Sequence, residues 1–244
     1  MKQAFFQVIE NTALTSNVFR MKLTGDTEGI RTGQFVNIKL DGLFLRRPIS
    51  VCDVEGDTLT LIYKVVGKGT EQMSQMTGGT LDVLTGLGNG YDLTTSGDHP
   101  LLIGGGVGVP PLYLAARLLR AEGKEVSVIL GFNTKDEVFC EEDFAALGCH
   151  VTVTTVDGSY GVKGFVTDAI KPGYTYIYTC GPEPMLKAVY DVCESSGDFS
   201  FEERMGCGFG ACMGCSCETL AGTKRICKDG PVMKKEEIVW PTHE

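Results

Sequence analysis

The chain has 244 residues, 43% hydrophobic and 22% charged, with 22 Lys and Arg against 31 Asp and Glu for a formal net charge of −9. This is the composition of a soluble globular protein, long enough for one large domain or two ordinary ones. With an acidic balance and no Lys or Arg run, a nucleic-acid partner is not expected, because phosphates need a cationic face. The opening "MKQAFFQVIENTALTS" lacks the apolar core of a signal peptide, and no run of about 18 apolar residues follows. Neither a membrane span nor a membrane partner is expected, and the location expected is cytoplasmic. Ten cysteines in a reducing compartment point to thiols or metal ligands rather than a disulfide framework.

From the start to about residue 97 the pattern is strands and turns. In "NVFRMKL" Val18, Arg20 and Lys22 alternate with Phe19, Met21 and Leu23. "QFVNIKL" and "TLTLIYK" behave similarly, with "EGD" and "TGG" clusters between. Short strands at this spacing predict a small antiparallel barrel. The spacing predicts one helix here, over 70–76, with Thr70 as its N-cap. "RRPISV" ends an apolar strand. There Arg47 would neutralise a dinucleotide pyrophosphate, and Ser50 or its backbone would reach a flavin ring. The plain alternative is an ordinary strand end. "IYKVVGKGT" adds a second phosphate-type site, with Gly69 and Thr70 at a helix start whose N–H groups can hold phosphate oxygen.

Residues 98–200 change rhythm. "LLIGG" reads as a buried strand and "VPPLYLAARLLRAEG" as a helix opened by prolines. "EVSVILGF", a short helix near "EEDFAALG", "HVTVTT", "YTYIYT" and the helix "PEPMLKAVYDVCESSG" follow. Alternating strand and helix predict a parallel sheet covered on both faces. "GGGVG" stands where a dinucleotide phosphate loop belongs, with Gly104, Gly106 and Gly108 present but Val109 in place of the third motif glycine. A tight strand-to-helix turn is the competing reading. Cys180 and Gly181 in "YTCGPEPM" form a second such turn. "NTKDE" after the strand ending at Phe132 offers no arginine pair for a 2′-phosphate, which favours NAD over NADP.

Residues 201–244 hold the sulfur, spaced Cys207-x4-Cys212-x2-Cys215-x11-Cys227. The first three match the run that holds a plant-type [2Fe-2S] cluster. Gly206, Gly208, Gly210 and Gly214 permit the tight loop whose N–H groups must face the sulfurs. Structural zinc, the alternative, usually takes two separated C-x2-C pairs, and only Cys212 and Cys215 make one. Cys217 gives a second short spacing and could replace a ligand. The remaining cysteines (Cys52, Cys140, Cys149, Cys180, Cys193) read as small buried residues. No catalytic triad is evident, and His99, His150 and His243 are scattered in sequence.

"RPIS", "GKGT", "IGGGVGVPPL" and "CGPEPML" resemble the ferredoxin reductase superfamily over about residues 3–200. With "ERMGCGFGACMGCSC" and "KRICKDGPVM", the chain is similar to the electron-transfer subunits of the two-subunit, NAD-dependent dihydroorotate dehydrogenases. The resemblance implies a mixed β and α/β architecture in three parts. These are an antiparallel FAD-binding β-barrel over 1–97, a parallel-sheet NAD-binding α/β domain over 98–200 and a [2Fe-2S] module over 201–244. It places FAD contacts on Arg47, Pro48, Ile49, Ser50, Ile62, Tyr63, Lys64, Gly69 and Thr70. It places cluster ligands on Cys207, Cys212, Cys215 and Cys227, leaving Cys217 unligated. The implied partner is an FMN-containing catalytic subunit, in a heterotetramer of two copies of each chain. Electrons from dihydroorotate would travel by FMN, cluster and FAD to NAD+ in pyrimidine biosynthesis. No side chain here is then expected to be catalytic. A stand-alone NADH-dependent reductase of ferredoxin type is the alternative, and a colourless zinc-stabilised binding module the third.

Overall fold

The computed structural model describes residues 1–240, so His243 lies outside the described residues. Six strands build the first unit, the clearest of them alternating buried and more exposed residues as a half-buried sheet requires. They are β1 (Lys2–Ala13), β2 (Val18–Thr24), β3 (Phe35–Lys39), β4 (Arg47–Glu55), β5 (Thr58–Lys64) and β6 (Thr80–Leu87). They close into an antiparallel barrel in the order β1-β2-β5-β4-β3-β6. Phe6, Met21, Leu23, Val36, Leu59 and Leu61 fill its interior and are fully buried. Between β5 and β6 runs α1 (Lys68–Ser74), which differs from the expected helix at its start. Gly67, not Thr70, is the N-cap. Thr70 sits three residues into the helix, and its Oγ1 accepts from the N–H groups of Val66 at 2.9 Å and Gly67 at 3.3 Å. The hydroxyl thus folds the "VVGKGT" loop back on itself.

The second unit alternates strand and helix. It runs β7 (Pro100–Gly105), α2 (Tyr113–Ala121), β8 (Ser127–Phe132), α3 (Glu141–Ala146), β9 (His150–Thr155), β10 (Val162–Lys163), β11 (Tyr176–Cys180), α4 (Glu183–Val192) and β12 (Gly197–Ser200). Two single 3₁₀ turns, Gly106–Gly108 and Pro110–Leu112, precede α2. The prolines therefore lie ahead of the α-helix rather than inside its first turn, where the missing N–H costs nothing. The cysteine segment contributes a ribbon, β13 (Ser216–Thr219) with β14 (Gly222–Arg225), and then β15 (Val232–Lys234).

β15 changes the picture of a purely parallel sheet. The order is β10-β9-β8-β7-β11-β12-β15, parallel until β15 pairs antiparallel with β12. A strand from the cysteine segment so covers the edge that β12 would otherwise expose. The segment has no core of its own: Cys215, Ile226, Cys227 and Met233 are buried in one cluster with Leu101 and Ile103 of β7. On the other face, Val18, Cys52 and Ile62 of the barrel share a cluster with Leu112, Ala116 and Phe144. His99 and His150, distant in sequence, both reach Glu125, at 3.0 and 3.6 Å, on the exposed surface.

A charge pair built on a buried carboxylate locks this junction. Asp198 on β12 is 1% exposed. It accepts from Lys234 Nζ at 2.9 Å, Tyr176 Oη at 2.8 Å and the Asp92 N–H at 3.0 Å. Burial works against the Lys234 charge, but its bonds to Tyr176 and Asp198 outweigh that and hold its pKa above the ordinary lysine value. A raised lysine pKa means the contribution is complete at neutral pH and is lost only in strong alkali. Lys234→Met should leave Asp198 a buried carboxylate with neutral donors alone. Breaking a buried pair typically costs about 3–5 kcal/mol, and the partial exposure of Lys234 lowers our expectation to about 2 kcal/mol. Urea unfolding of the variant checks this; an unchanged midpoint would show the pair to be dispensable.

Candidate functional site

The adjacent arginines of "RRPIS" have different tasks. Arg46 makes a bidentate pair with Asp82 at 3.0 and 2.9 Å and also donates to the Asp82 carbonyl at 2.9 Å. It is a strut to β6 from the residue that enters β4. Arg47 pairs with no carboxylate among the described residues, and its guanidinium lies directly over Gly69. A Cβ at Gly69 would stand 2.2 Å from Arg47 Nε, so the glycine is what lets the cation approach the start of α1. A cation and free N–H groups meeting there suit a pyrophosphate. Pro48, Ile49 and Ser50 follow, half-exposed, on β4. Ile62 and Tyr63 are buried; Tyr63 donates to Asn11 Oδ1 at 3.0 Å, and burial pushes its hydroxyl up to about 12. These two offer a ligand their backbone rather than their side chains. Lys64 faces a different space, the cleft at the ends of the parallel strands.

That cleft, of about 550 Å³, opens at the carboxyl ends of β7, β8, β9 and β11, where open α/β sheets bind ligands. Gly106 and Gly108 line it with Gly181 from the second turn. Gly106 has φ +52, and a Cβ there would meet nothing within 4 Å, so a side chain would project into open space. Gly104 and Cys180 do not line it. A Cβ on Gly104 would lie 2.8 Å from Val109 Cα, which makes it a packing glycine. Cys180 is 1% exposed, and burial raises its thiol pKa. Gly108 does both jobs, since its Cβ would fall 2.3 Å from the Cys180 carbonyl oxygen. Phe132, Asn133, Glu137, Phe165 and Glu202 also line the cleft. Strand-end residues carry no motif, so the sequence marks none of these five singly, and "NTKDE" speaks only through the arginine pair it lacks. Glu202 has open surface toward the cleft, yet the walls around it desolvate its carboxyl and raise the pKa.

The cysteine loop (206–215) is held from three sides. Asn37 of the barrel donates to the Cys207 carbonyl at 3.2 Å, and Arg225, paired with Asp229, donates to the Gly210 carbonyl at 3.0 Å. Lys228 packs its stem where a Cβ on Gly210 would stand. The backbone turns toward sulfur: Cys207 Sγ accepts from the N–H of Ala211 at 3.2 Å and of Cys212 at 3.5 Å, and Cys215 Sγ from that of Cys227 at 3.4 Å. Burial opposes ionisation of Cys207, but donation from Phe209, Cys212 and Ala211 prevails and holds its thiol down at about 6. Burial, and then the neighbouring Cys215 side chain, push Cys227 up to about 12. Among the described residues no three His, Cys, Asp or Glu side chains converge as on a single ion. The Cys207 thiol neighbours that of Cys212, and the Cys227 thiol neighbours those of Cys215 and Cys207, soft donors of the kind that hold iron–sulfur clusters. Cys217 lies on β13 in the wall of a separate cavity of about 610 Å³, with Phe201, Ile226 and Trp240.

Gly108→Ala sets a new Cβ against backbone rather than a movable side chain, so the two turns must part. Overpacking of this kind costs about 1–3 kcal/mol. We expect a lowered melting temperature for Gly108→Ala, whereas Gly106→Ala, strained only by its positive φ, should lose less. A Gly108→Ala melt matching the parent would refute the contact.

A family model described as the iron-sulfur cluster binding domain of dihydroorotate dehydrogenase B matches residues 202–239, and the oxidoreductase NAD-binding domain matches residues 102–191. The electron transfer subunit of dihydroorotate dehydrogenase B (NAD(+)) from Bacillus pumilus is 44% identical, over 98% of each chain. That from Fusobacterium nucleatum is 43% identical, over 95% of this chain and 96% of the relative. Among solved structures, a chain of the NADH-dependent reduced ferredoxin-NADP oxidoreductase superposes with a TM-score of 0.88 at 30% identity, covering 96% of this chain and 90% of that one. Flavohemoglobin from Malassezia yamatoensis, 20% identical over 78% of this chain and 56% of its own, shares the fold with a TM-score of 0.68. The chain belongs to the family of dihydroorotate dehydrogenase B electron transfer subunits.

Proposed function

We propose that this chain carries electrons from an FMN-containing dihydroorotate dehydrogenase subunit to NAD+ in the cytoplasm, in a heterotetramer of two copies of each chain. One observation carries the reading. The barrel bearing Arg47 and Gly69 borders the cysteine loop through Asn37 and the glycine cleft through Lys64. The relatives' names and the matched cluster-binding and NAD-binding models support it.

In this reading residues 1–97 hold FAD, 98–200 hold NAD and 201–244 hold the cluster. Bound FAD exchanges hydride with nicotinamide and single electrons with a [2Fe-2S] cluster, which supplies the change from two-electron to one-electron transfer. The protein's part is positioning. Arg47, with Gly69 and the loop braced by Thr70, holds the FAD pyrophosphate; Pro48, Ile49, Ser50 and the backbone of Ile62, Tyr63 and Lys64 hold the rest. Gly106, Gly108 and Gly181 admit the nucleotide, backed by Gly104 and Cys180. Cys207, Cys212, Cys215 and Cys227 are the cluster ligands, and Cys217 is not. No side chain of this chain is required as general acid or base; the substrate's chemistry belongs to the partner. A second reading, a ferredoxin-type reductase, draws on the similarity to the NADH-dependent ferredoxin-NADP oxidoreductase chain.

Two experiments test this. Arg47→Ala should shed flavin on gel filtration, since a lost charge-assisted bond of about 1.5–3 kcal/mol weakens retention roughly ten- to a hundredfold; full occupancy would return "RPIS" to a strand end. Ser at any of the four ligand positions should abolish the cluster's absorbance and its coupling of dihydroorotate oxidation to NAD+ reduction in the reconstituted complex. NADH–dye activity should largely survive, and Cys217→Ser should leave all three signals intact. Coupling at full rate in a cluster-less variant that still associates would make the cluster structural. Coupling to ferredoxin, but not to the dihydroorotate-oxidising subunit, would select the second reading.

A further inference from the structure

Two buried polar groups stand on either side of one hydrogen bond at the cysteine loop, and each lacks a partner. Asn37 of β3 is 2% exposed, and its Nδ2 donates to the Cys207 carbonyl at 3.2 Å. Its Oδ1 is buried with no partner among the described residues. Across the bond Gly208 is also buried, and its N–H finds no acceptor among the described residues. Orphaned buried N–H groups are rare in native proteins, so this one marks a place where an acceptor belongs. The peptide joining Cys207 to Gly208 is trans, the one cis bond among the described residues being Gly230–Pro231. A trans peptide points its C=O and its N–H in opposite directions. Drawing the Cys207 carbonyl onto the barrel therefore turns the Gly208 N–H away from the barrel. Asn37 is itself held in place. Arg46, anchored on Asp82, donates through Nη1 to the Asn37 carbonyl at 3.3 Å, and Asn37 stands opposite Pro48 in the β3–β4 register. A side chain that only filled this space would be apolar, at no desolvation cost. An amide that leaves its own oxygen unpaired is explained by the bond it donates.

Building on the iron–sulfur reading of the loop, we propose that Asn37 is a positioning residue for the cluster: by holding the Cys207 carbonyl it aims the Gly208 N–H at cluster sulfur, and so raises the cluster's reduction potential. A cluster that takes up one electron becomes one unit more negative, with no bond made and no proton moved. An N–H dipole already directed at sulfur stabilises that reduced form more than the oxidised one. Hydrogen bonds to sulfur are among the means by which proteins set such potentials. The cysteine spacing is silent on this, because Asn37 lies 170 residues before Cys207.

The test uses the full chain, purified anaerobically, and reads the cluster's potential by a dithionite titration followed by EPR, so that turnover plays no part. Asn37→Leu keeps the bulk and removes the donor. Its one-electron equilibrium should shift about tenfold toward the oxidised cluster, the worth of one hydrogen bond to a charged group. That is a potential about 59 mV more negative. Iron and FAD content should stay at the parent's level. A parental potential in a cluster-bearing Asn37→Leu, with or without a loss of stability, overturns the assignment and leaves Asn37 a tether. If Asn37→Leu sheds its cluster, Asn37→Ala, which lacks the donor without the branched bulk, is titrated in its place. Loss of the cluster from both variants would show a holding role alone and overturn the tuning one. A parent chain without the spectrum of a [2Fe-2S] cluster would sink the reading of the loop itself, and the role of Asn37 with it.

Discussion

A loop that must aim its backbone N–H groups at sulfur cannot also bury a core, and most of the architecture answers that constraint. Between Cys207 and Cys215 stand three glycines, Ala211, Cys212 and two exposed apolar residues, Phe209 and Met213, and Gly208 and Gly210 take φ values of +77 and +90. Such a segment, its two large apolar side chains turned to the surface, buries almost nothing that would hold it together. Its stability is borrowed: Cys215, Ile226, Cys227 and Met233 insert into the core beneath β7, and β15 joins the sheet beside β12. The barrel completes the support through Asn37, 2% exposed, whose amide reaches the Cys207 carbonyl across a glycine, Gly208, that a Cβ would block.

The same economy appears at the junction of barrel and sheet. Ile62 packs with the apolar interior beneath α2, while the neighbouring Tyr63 turns into the barrel. One strand thus joins two cores by the period-two alternation of its side chains, and Lys64 at its end emerges into the cleft. The linker is anchored as firmly. Asn89 exchanges side-chain bonds with Val232 at 2.6 and 3.1 Å, and the Asp92 N–H reaches Asp198. Barrel, sheet and cysteine segment therefore converge within a few residues around Asp198, and the three parts read from the sequence are not mechanically separate. The glycine cleft and the cysteine loop both lean on one barrel, so a distortion at the junction should disturb both.

What the sequence made legible follows from locality. Alternation gave the barrel strands, the change of rhythm after residue 98 gave the parallel sheet, and a fixed cysteine spacing marked the sulfur loop. Contacts made at long range were not legible. Nothing in "RRPIS" says that the first arginine is committed to Asp82 and the second is not. Nothing in "IGGGVG" separates Gly104, which packs on Val109, from Gly106, which faces open space. Thr70 read as a cap because threonine before a polar helix ordinarily is one; here a two-residue earlier start gives the hydroxyl to the loop behind it. The edge strand β15 was invisible because three residues are too few for a period, and its place is fixed by Lys234 reaching a carboxylate that is itself distant in sequence.

Charge placement is the last element that ties these parts to a function. The chain is strongly acidic overall, yet where anionic groups of a dinucleotide would rest it offers Arg47, bare backbone N–H groups and Lys64, with Arg46 withdrawn into its own ion pair. Carboxylates return at the cleft's margins, Glu137 at one end and Glu202 at the other. The cleft thus keeps bare glycine backbone in its middle, with Lys64 reaching it from the barrel and carboxylates confined to its margins.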